Sequence, residues 1–194
     1  KPENNITREI GAGIQLDGLL TGNDRLQLKG GYFGTDARNY IATRVDMKRM
    51  RSYSYNVSRA RIWGWDMQGN YQSDYFDWML SYNRTESMDA SSREWLGSGN
   101  PDTLISDISI PVGHGGVSAG WRAELSAAAT HVKKGDPHQA GYAVHSFSLS
   151  YKPVSVKGFE ASVTLDNAFN KLAMNGKGVP LSGRTVSLYT RYQW

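Results

Sequence analysis

Residues 183–194, at the end of the sequence, alternate apolar and polar side chains at nearly every second position. On a β-strand this alternation places Val186, Leu188 and Tyr192 on one face and mostly polar side chains on the other. A strand that ends on an aromatic residue, with one face for lipid and one for a polar lumen, is typical of the closing strand of an outer-membrane barrel. The pattern therefore predicts a transmembrane, all-β chain whose strands can be counted backwards from Trp194.

Composition is compatible with this fold although the mean hydropathy is −0.52. No segment approaches the roughly 18 consecutive apolar residues of a membrane helix, but a barrel strand shows only every second side chain to lipid. The 21 glycines, 11 tyrosines and 6 tryptophans favour strands, turns and interfacial aromatic residues. Without cysteine the chain has no disulfide or thiolate metal site. The net charge of +4 suits a surface that meets lipopolysaccharide phosphates, and we expect no nucleic-acid partner.

The same periodicity predicts nine strands whose connections alternate between short and long. In outer-membrane barrels short turns face the periplasm and long loops face outward, so we expect a multi-pass chain with a periplasmic C-terminus. A soluble β-sandwich is the alternative. The predicted strands are 7–17, 26–33, 60–71, 75–85, 117–121, 125–132, 142–152, 159–166 and 183–194. The predicted periplasmic turns are 18–24, 72–74, 122–124 and 153–157, and the predicted extracellular connections are 34–59, 86–115, 133–140 and 167–182.

Nine strands do not make a closed antiparallel barrel. In an antiparallel meander the first and ninth strands run parallel to each other, so they cannot pair in the antiparallel sense. Open sheet edges are not tolerated in lipid. No secretory signal segment is recognisable at Lys1. We therefore expect the chain to be part of a longer barrel whose other strands precede Lys1.

Several segments resemble TonB-dependent outer-membrane receptors, and the resemblance extends over the whole chain. The general segments are Lys1-Pro2-Glu3, Tyr32-Phe33, Asn39-Tyr40-Ile41, the ARIWGWD string at 60–66, the DNAFN string at 166–170 and Gly183-Arg184. The resemblance is closest to enterobacterial receptors of the haem/haemoglobin uptake group. Four strings carry it, IWGWD at 62–66, YNRT at 82–85, NPDT at 100–103 and YQW at 192–194.

The resemblance implies a 22-stranded barrel with an N-terminal plug, of which residues 1–194 would be the last nine strands. It implies uptake of haem, free or from haemoglobin, energised by TonB, with haem as the transported ligand and no catalytic cofactor. The axial histidines of the family and its TonB box would lie upstream of Lys1, so neither maps onto this sequence. A ferric-siderophore receptor of the same fold and a stand-alone porin or adhesin remain the alternatives.

The four histidines are candidates for contact with haem or its carrier, because imidazole is a common axial ligand of haem iron. His138 lies in the predicted connection 133–140, and His131 and His114 lie near the predicted outer ends of strands. His145 has the parity of its apolar neighbours and is predicted to face lipid. Solvation or interfacial hydrogen bonding is the competing interpretation for each of them.

A basic and aromatic segment within the predicted connection 34–59 is a second candidate surface. An arginine can bind a carboxylate with two hydrogen bonds, and tyrosines are enriched in protein interfaces. Contact with haem propionates or haemoglobin is therefore one prediction, and contact with lipopolysaccharide or plain solvation is the other. The residues are Arg49, Arg51, Tyr53 and Tyr55.

Enzymatic function is not indicated by the sequence. His145 and Ser146 are neighbours along a predicted strand, so their side chains point to opposite faces and cannot form a hydrolase pair. The sequence contains no HExxH motif, no CxxC motif and no phosphate-binding glycine loop. We therefore expect a transporter component with no catalytic residues and no metal site.

Overall fold

The computed structural model describes residues 2–46, 49–97, 101–175 and 179–194. Lys1 and the parts of three predicted connections at 47–48, 98–100 and 176–178 lie outside this range. The described residues form one antiparallel sheet in which each strand pairs with the next one in the chain. The strands are β1 (Asn4–Asp17), β2 (Arg25–Asp46), β3 (Arg51–Gln72), β4 (Asp77–Asp89), β5 (Thr103–Val112), β6 (Val117–Ser126), β7 (Tyr142–Tyr151), β8 (Phe159–Asp166) and β9 (Thr185–Tyr192).

One face of this sheet, the apolar face, carries hydrophobic and aromatic side chains from β1 to β9. Near one edge Tyr32 lies opposite both Ile10 and Trp65 in the strand register. Near the other edge Val163 lies opposite Leu188. These side chains are exposed, with 75% of Ile10 and 73% of Leu188 accessible. A continuous apolar wall of this extent matches the lipid-facing surface of a membrane barrel.

The opposite face, the polar face, is lined by amides, acids and hydroxyls that bond to one another across strands. Gln27 donates to the Oε1 atom of Gln15 at 3.0 Å. The Arg122 Nη1 atom donates to Asp107 at 2.6 Å. This division into one apolar and one polar face confirms the period-two prediction. The described residues contain no helix long and apolar enough to cross a membrane.

The connections alternate between the two ends of the sheet. One end, the short-turn end, carries the connections 18–24, 73–76, 113–116 and 152–158, and the chain also ends there at Trp194. The other end, the long-connection end, carries 47–50, 90–102, 127–141 and 167–184. The predicted alternation of short and long connections is confirmed for all of these except 47–50, which is short because its strands are long.

The prediction of a loop at 34–59 is wrong, because β2 and β3 continue through this segment as a long hairpin. Their pairing continues in one register to the pair Asp46 and Arg51, with a single break at Asn39, which has a φ of 53° and is not paired with Ser58. Ala37 and Ala60 are fully buried within the hairpin. Polar side chains occupy both faces of most of this segment, so the alternation that marks the other strands is absent from its sequence.

The predicted fifth and sixth strands, 117–121 and 125–132, are also wrong in their boundaries. Residues 117–126 form the single strand β6, and the predicted turn at 122–124 lies inside it. The polar residue Arg122 faces the polar side and bonds to Asp107 there, so it is strand lining rather than a turn signal.

Strand β5, Thr103–Val112, was not predicted and lies within the predicted connection 86–115. Its apolar positions Leu104, Ile108 and Ile110 alternate with polar ones, but they follow a stretch rich in turn residues. The true turn between β5 and β6 is at 113–116, at the short-turn end. The described residues therefore form nine strands, the predicted number, but β5 replaces one of the two strands predicted within 117–132, and β2 and β3 extend well beyond their predicted bounds.

Asp24 fixes the connection between β1 and β2 and is only 3% exposed. Its carboxylate accepts backbone N–H groups from Leu19 at 2.6 Å, Leu20 at 2.7 Å and Thr21 at 3.0 Å. The hydroxyl of Tyr71 donates to it at 2.8 Å. Burial acts to raise the pKa of Asp24, but these hydrogen bonds to the charged form outweigh it and hold the pKa below its ordinary value.

We expect Asp24→Asn to lower the resistance to urea at pH 7 and to weaken its dependence on acid. A carboxyl whose pKa is lower in the folded state stabilises that state above its unfolded pKa of about 3.9, and the contribution is lost as the pH falls through the folded value. The urea midpoint of the detergent-folded protein, measured at pH 7 and pH 3, tests this. Asp74→Asn, an exposed change at the same end, is the matched control. Equal acid sensitivity in Asp24→Asn and the unchanged protein would contradict the assignment.

Candidate ligand-contact site at the long-connection end

Glu86, near the end of β4, is the centre of a polar cluster at the long-connection end. It is 7% exposed although it stands at a position whose parity is that of the apolar face. Its Oε1 atom accepts from the Arg84 Nη2 atom at 3.0 Å and contacts the His131 Nδ1 atom at 2.8 Å. One buried carboxylate therefore holds a strand residue and a residue of the connection 127–141 together.

The ring of His131 is oriented from two sides. It stacks on Trp95, with centroids 4.0 Å apart and an interplanar angle of 7°, and Trp95 in turn packs against Trp63 at 6.1 Å. A carboxylate only accepts hydrogen bonds, so the Nδ1 atom of a neutral His131 must carry the proton that Glu86 receives. The Nε2 atom then carries the lone pair, which is the form of imidazole that binds metal ions. The side chain of His131 is 43% exposed.

A second arm of the cluster ties the connection 90–102 to β4. The hydroxyl of Tyr82 donates to the Asp102 Oδ2 atom at 3.1 Å, and the Arg84 Nη1 atom lies 3.6 Å from the same oxygen. The backbone N–H of Leu96 donates to Ser87 at 2.9 Å. Arg84 thus bridges two acids, and two long connections are anchored on the same strand.

These residues surround a cavity of about 310 Å³ between the two connections. This volume is at the lower end of the roughly 300–1,000 Å³ that small-molecule sites occupy. Its lining combines two cationic groups, three acids and an imidazole with small apolar side chains from 127–129. The residues that matter for its chemistry are Arg84, Glu86, Asp102, His131 and Lys133.

The structure separates the histidine candidates. His138 is exposed in the same connection as His131, and both histidines lie within the loop that the bridge between Ala129 and Gln139 closes. His114 lies in the turn 113–116 at the short-turn end, so its predicted position near the outer end of a strand is wrong. The error follows from the missed strand β5, which moves this turn to the opposite end of the sheet.

His145 has the position that its parity predicts, on the apolar face with Phe147. It stacks on Trp121 with centroids 5.8 Å apart and accepts the Trp121 Nε1 hydrogen at 3.3 Å. Phe169 packs edge-on against it at 5.5 Å. Ser146 is buried on the polar face, where its hydroxyl accepts the backbone N–H of Asn167. The two neighbours therefore do point to opposite sides.

The basic and aromatic segment is one edge of the long hairpin. Alternation places Arg51, Tyr53 and Tyr55 together on the side of β3 that carries Trp65, and the two tyrosines are exposed. Arg49 lies in the turn of the hairpin. Three of the four predicted residues therefore lie on one side of a paired hairpin strand instead of in a loop.

Glu86, Trp95 and Asp102 were not predicted as functional residues, because all three fall in the predicted connection 86–115. One signal was available for Glu86: together with Arg84 it places charges at positions of β4 that have the apolar parity. Its partner His131 is 45 residues away in the chain, so no local pattern connects them. Among the described residues there is no group of three or more His, Cys, Asp or Glu side chains suited to a metal ion.

Comparison with known proteins gives a consistent fold. The family model described as "TonB dependent receptor-like, beta-barrel" matches residues 1–170. The solved structure of the copper transporter OprC has a TM-score of 0.79 and 20% identity, covering 97% of this chain and 31% of that one. The pyoverdine receptor FpvA of Pseudomonas aeruginosa has a TM-score of 0.70 and 16% identity, covering 100% of this chain and 30% of that one.

Two curated proteins are similar at a higher level of identity. A hemin receptor of Yersinia pestis is 42% identical over 195 aligned residues, which cover 100% of this chain and 29% of that receptor. A hemin receptor of Yersinia enterocolitica is 39% identical, with 100% of this chain and 30% of the receptor covered. The chain therefore spans about three tenths of the length of these relatives.

Proposed function

The chain belongs to the TonB-dependent receptor β-barrel family of the outer membrane, and from this premise we propose that it is part of the barrel of a receptor that imports haem. The observation that supports haem as the ligand is the 42% identity to a hemin receptor along the whole chain. The structural neighbours with other ligands are 20% identical or less in the two cases above, so they support the fold alone.

In this proposal residues 1–194 contribute nine strands to a larger barrel, of 22 strands as the family resemblance implies, with a plug and a TonB box outside this sequence. Within the described residues β1 pairs only with β2, and β9 only with β8. Because lipid does not tolerate open sheet edges, further strands must complete the wall. The long-connection end is then extracellular and Trp194 periplasmic, which agrees with the usual placement of long loops and short turns.

We infer that His131 contacts haem at the extracellular end. Glu86 fixes its Nδ1 proton and Trp95 fixes its ring plane, so the Nε2 lone pair has a defined direction, as in metal-binding histidines with a carboxylate partner. His138, exposed on the same connection, and the surface of Arg51, Tyr53 and Tyr55 would meet a carrier such as haemoglobin. Transport rather than catalysis is the proposed activity, because the similar curated proteins are hemin receptors.

Haem titration of the intact, detergent-solubilised receptor tests the proposal through the Soret absorption band. We expect His131→Ala to weaken haem binding, and Glu86→Gln to weaken it by on the order of tenfold, as is usual for the partner of a metal-binding histidine. His114→Ala removes an exposed histidine at the opposite end and should leave binding unchanged. Iron-free protoporphyrin separates the two possible roles of His131, because loss of an iron ligand spares its binding and disruption of the connections does not.

Two outcomes would contradict different parts of the proposal. If the intact receptor binds a ferric siderophore and shows no Soret shift with haem, the haem function is wrong and the siderophore alternative replaces it. If haem binds equally well to the unchanged protein and to His131→Ala, the receptor function stands and the role of His131 is wrong.

A further inference from the structure

An arginine cluster occupies the apolar-face side of β1, β2 and β3, immediately beyond the aromatic side chains at the long-connection end. Asp36 lies opposite Arg61 in the register, and Arg38 lies opposite Arg59 in the next pair on that side. Arg8 approaches Asp36 from β1. The side chains of Arg8, Arg59 and Arg61 are 74%, 50% and 63% exposed, so the cluster is a surface feature.

The charges of this cluster do not balance. Arg59 donates twice to the Asp36 Oδ1 atom, at 2.8 and 3.2 Å. The guanidinium groups of Arg8 and Arg61 lie 3.9 and 3.8 Å from the same carboxylate, beyond hydrogen-bonding distance. One carboxylate therefore lies near the three guanidinium groups of Arg8, Arg59 and Arg61, and Arg38, opposite Arg59 in the register, adds a fourth positive charge.

The strand register adds a repulsion between two of these arginines. Arg38 and Arg59 are directly opposite each other, and like charges in that position destabilise a sheet. An anion placed between them would remove the repulsion and use the N–H groups that Asp36 does not reach. A phosphate suits this role, because the planar fork of arginine matches its oxygens.

The position of the cluster identifies the source of the phosphate. Tyr32 and Trp65 pack with ring centroids 4.8 Å apart, and aromatic residues of this kind lie at the level of lipid headgroups. Asp36 lies four residues beyond Tyr32, which is about 13 Å along the strand. Below the cluster the apolar face continues through Tyr32, Trp65 and Met67, so acyl chains have a surface directly beneath the guanidinium groups.

We propose that Arg8, Arg38, Arg59 and Arg61 bind the phosphate groups of an anionic glycolipid in the outer leaflet, whose acyl chains lie on the adjoining apolar face. The proposal rests on the placement of the chain in the outer membrane and not on haem as the ligand. The net charge of the chain suits contact with lipopolysaccharide in general, and the proposal assigns that contact to these four arginines.

The test uses the intact receptor in an uncharged detergent, titrated with diphosphorylated lipid A and followed by native mass spectrometry. Arg38→Gln with Arg61→Gln removes two charges and leaves the hydrogen bonds between Arg59 and Asp36 in place. We expect binding to weaken about 25-fold, because each of the two interfacial arginines contributes roughly fivefold. Arg184→Gln with Arg191→Gln removes the same charge away from the cluster and should have no effect. Unheated gel mobility confirms that both double variants are folded.

Three results would overturn the proposal. The first is equal affinity of the unchanged protein and the Arg38/Arg61 variant for diphosphorylated lipid A. The second is equal affinity of the unchanged protein for lipid A from which the phosphates have been removed. The third is displacement of the lipid by millimolar inorganic phosphate, which would identify a site for free phosphate instead. Haem binding is expected to be the same in the Arg38/Arg61 variant and in the unchanged protein. The haem titration and the lipid A titration therefore test the two proposals independently.

Discussion

Leu149→Arg should sharply reduce the fraction of receptor that folds into a membrane. Leu149 lies on the apolar face of β7, opposite Ala119 on one neighbouring strand and Val163 on the other. Its side chain is 55% exposed, and in a barrel that exposed surface meets lipid. Placing an arginine at the middle of the lipid-facing wall of a barrel costs about 2–4 kcal/mol. Folding into lipid vesicles, followed by the mobility shift of unheated protein on a gel, measures the loss.

Ser150→Arg is the matched control for this change. Ser150 is the next residue of the same strand, but it faces the polar side, opposite Ser118 and Ser162. The same charge placed there meets polar groups and water, so we expect only a small effect. A soluble β-sandwich predicts the reverse for Leu149, because an arginine on an exposed surface would raise solubility. Equal folding of the two variants would therefore contradict a lipid-facing role for the apolar face.

The sequence predicted most of the strands in which apolar and polar side chains alternate. It missed β5, which alternates but follows a stretch rich in turn residues, and it missed the outer halves of β2 and β3, which do not alternate. Trp63, Trp65 and Met67 alternate with smaller or polar residues, and this part of β3 is found where it was predicted. The outer halves of β2 and β3 also pair with each other, apart from a break at Asn39, but their polar residues do not alternate with apolar ones in the sequence. Side chains alternate in this way where one face of a strand contacts an apolar phase. A strand that extends into water has no such face, so its sequence does not show the alternation.

The candidate site was less predictable than the fold for a different reason. His131 could be named because imidazole is a haem ligand, but its orientation depends on Glu86 and Trp95, which reach it from distant parts of the chain. The packing of the long connections decides these contacts. The prediction for His114 failed for a related reason. Because β5 was missed, His114 was predicted at the opposite end of the sheet from the turn 113–116 in which it lies.

The position of Glu86 depends in turn on how closely β3 and β4 approach each other. Gly64 lies opposite Phe33 on β2 and Thr85 on β4. A Cβ atom added at Gly64 would overlap the carbonyl oxygen of Arg84 and lie 2.6 Å from the Phe33 ring. The aromatic ring therefore covers the glycine from one side, and the backbone of β4 closes it from the other.

Gly64→Ala is expected to destabilise the folded receptor by about 1–3 kcal/mol, the usual cost of inserting a methyl group into a well-packed site. The ring of Phe33 can turn away, but the Arg84 carbonyl belongs to a paired strand and moves only if β3 and β4 separate. Gly30→Ala is the control, because a Cβ atom there meets its nearest neighbour, the Met67 side chain, at 3.9 Å. The denaturant midpoint of both variants in detergent measures the difference, and equal midpoints would contradict the close approach. Since Arg84 holds Glu86, and Glu86 holds His131, Gly64→Ala should also weaken haem binding in variants that still fold.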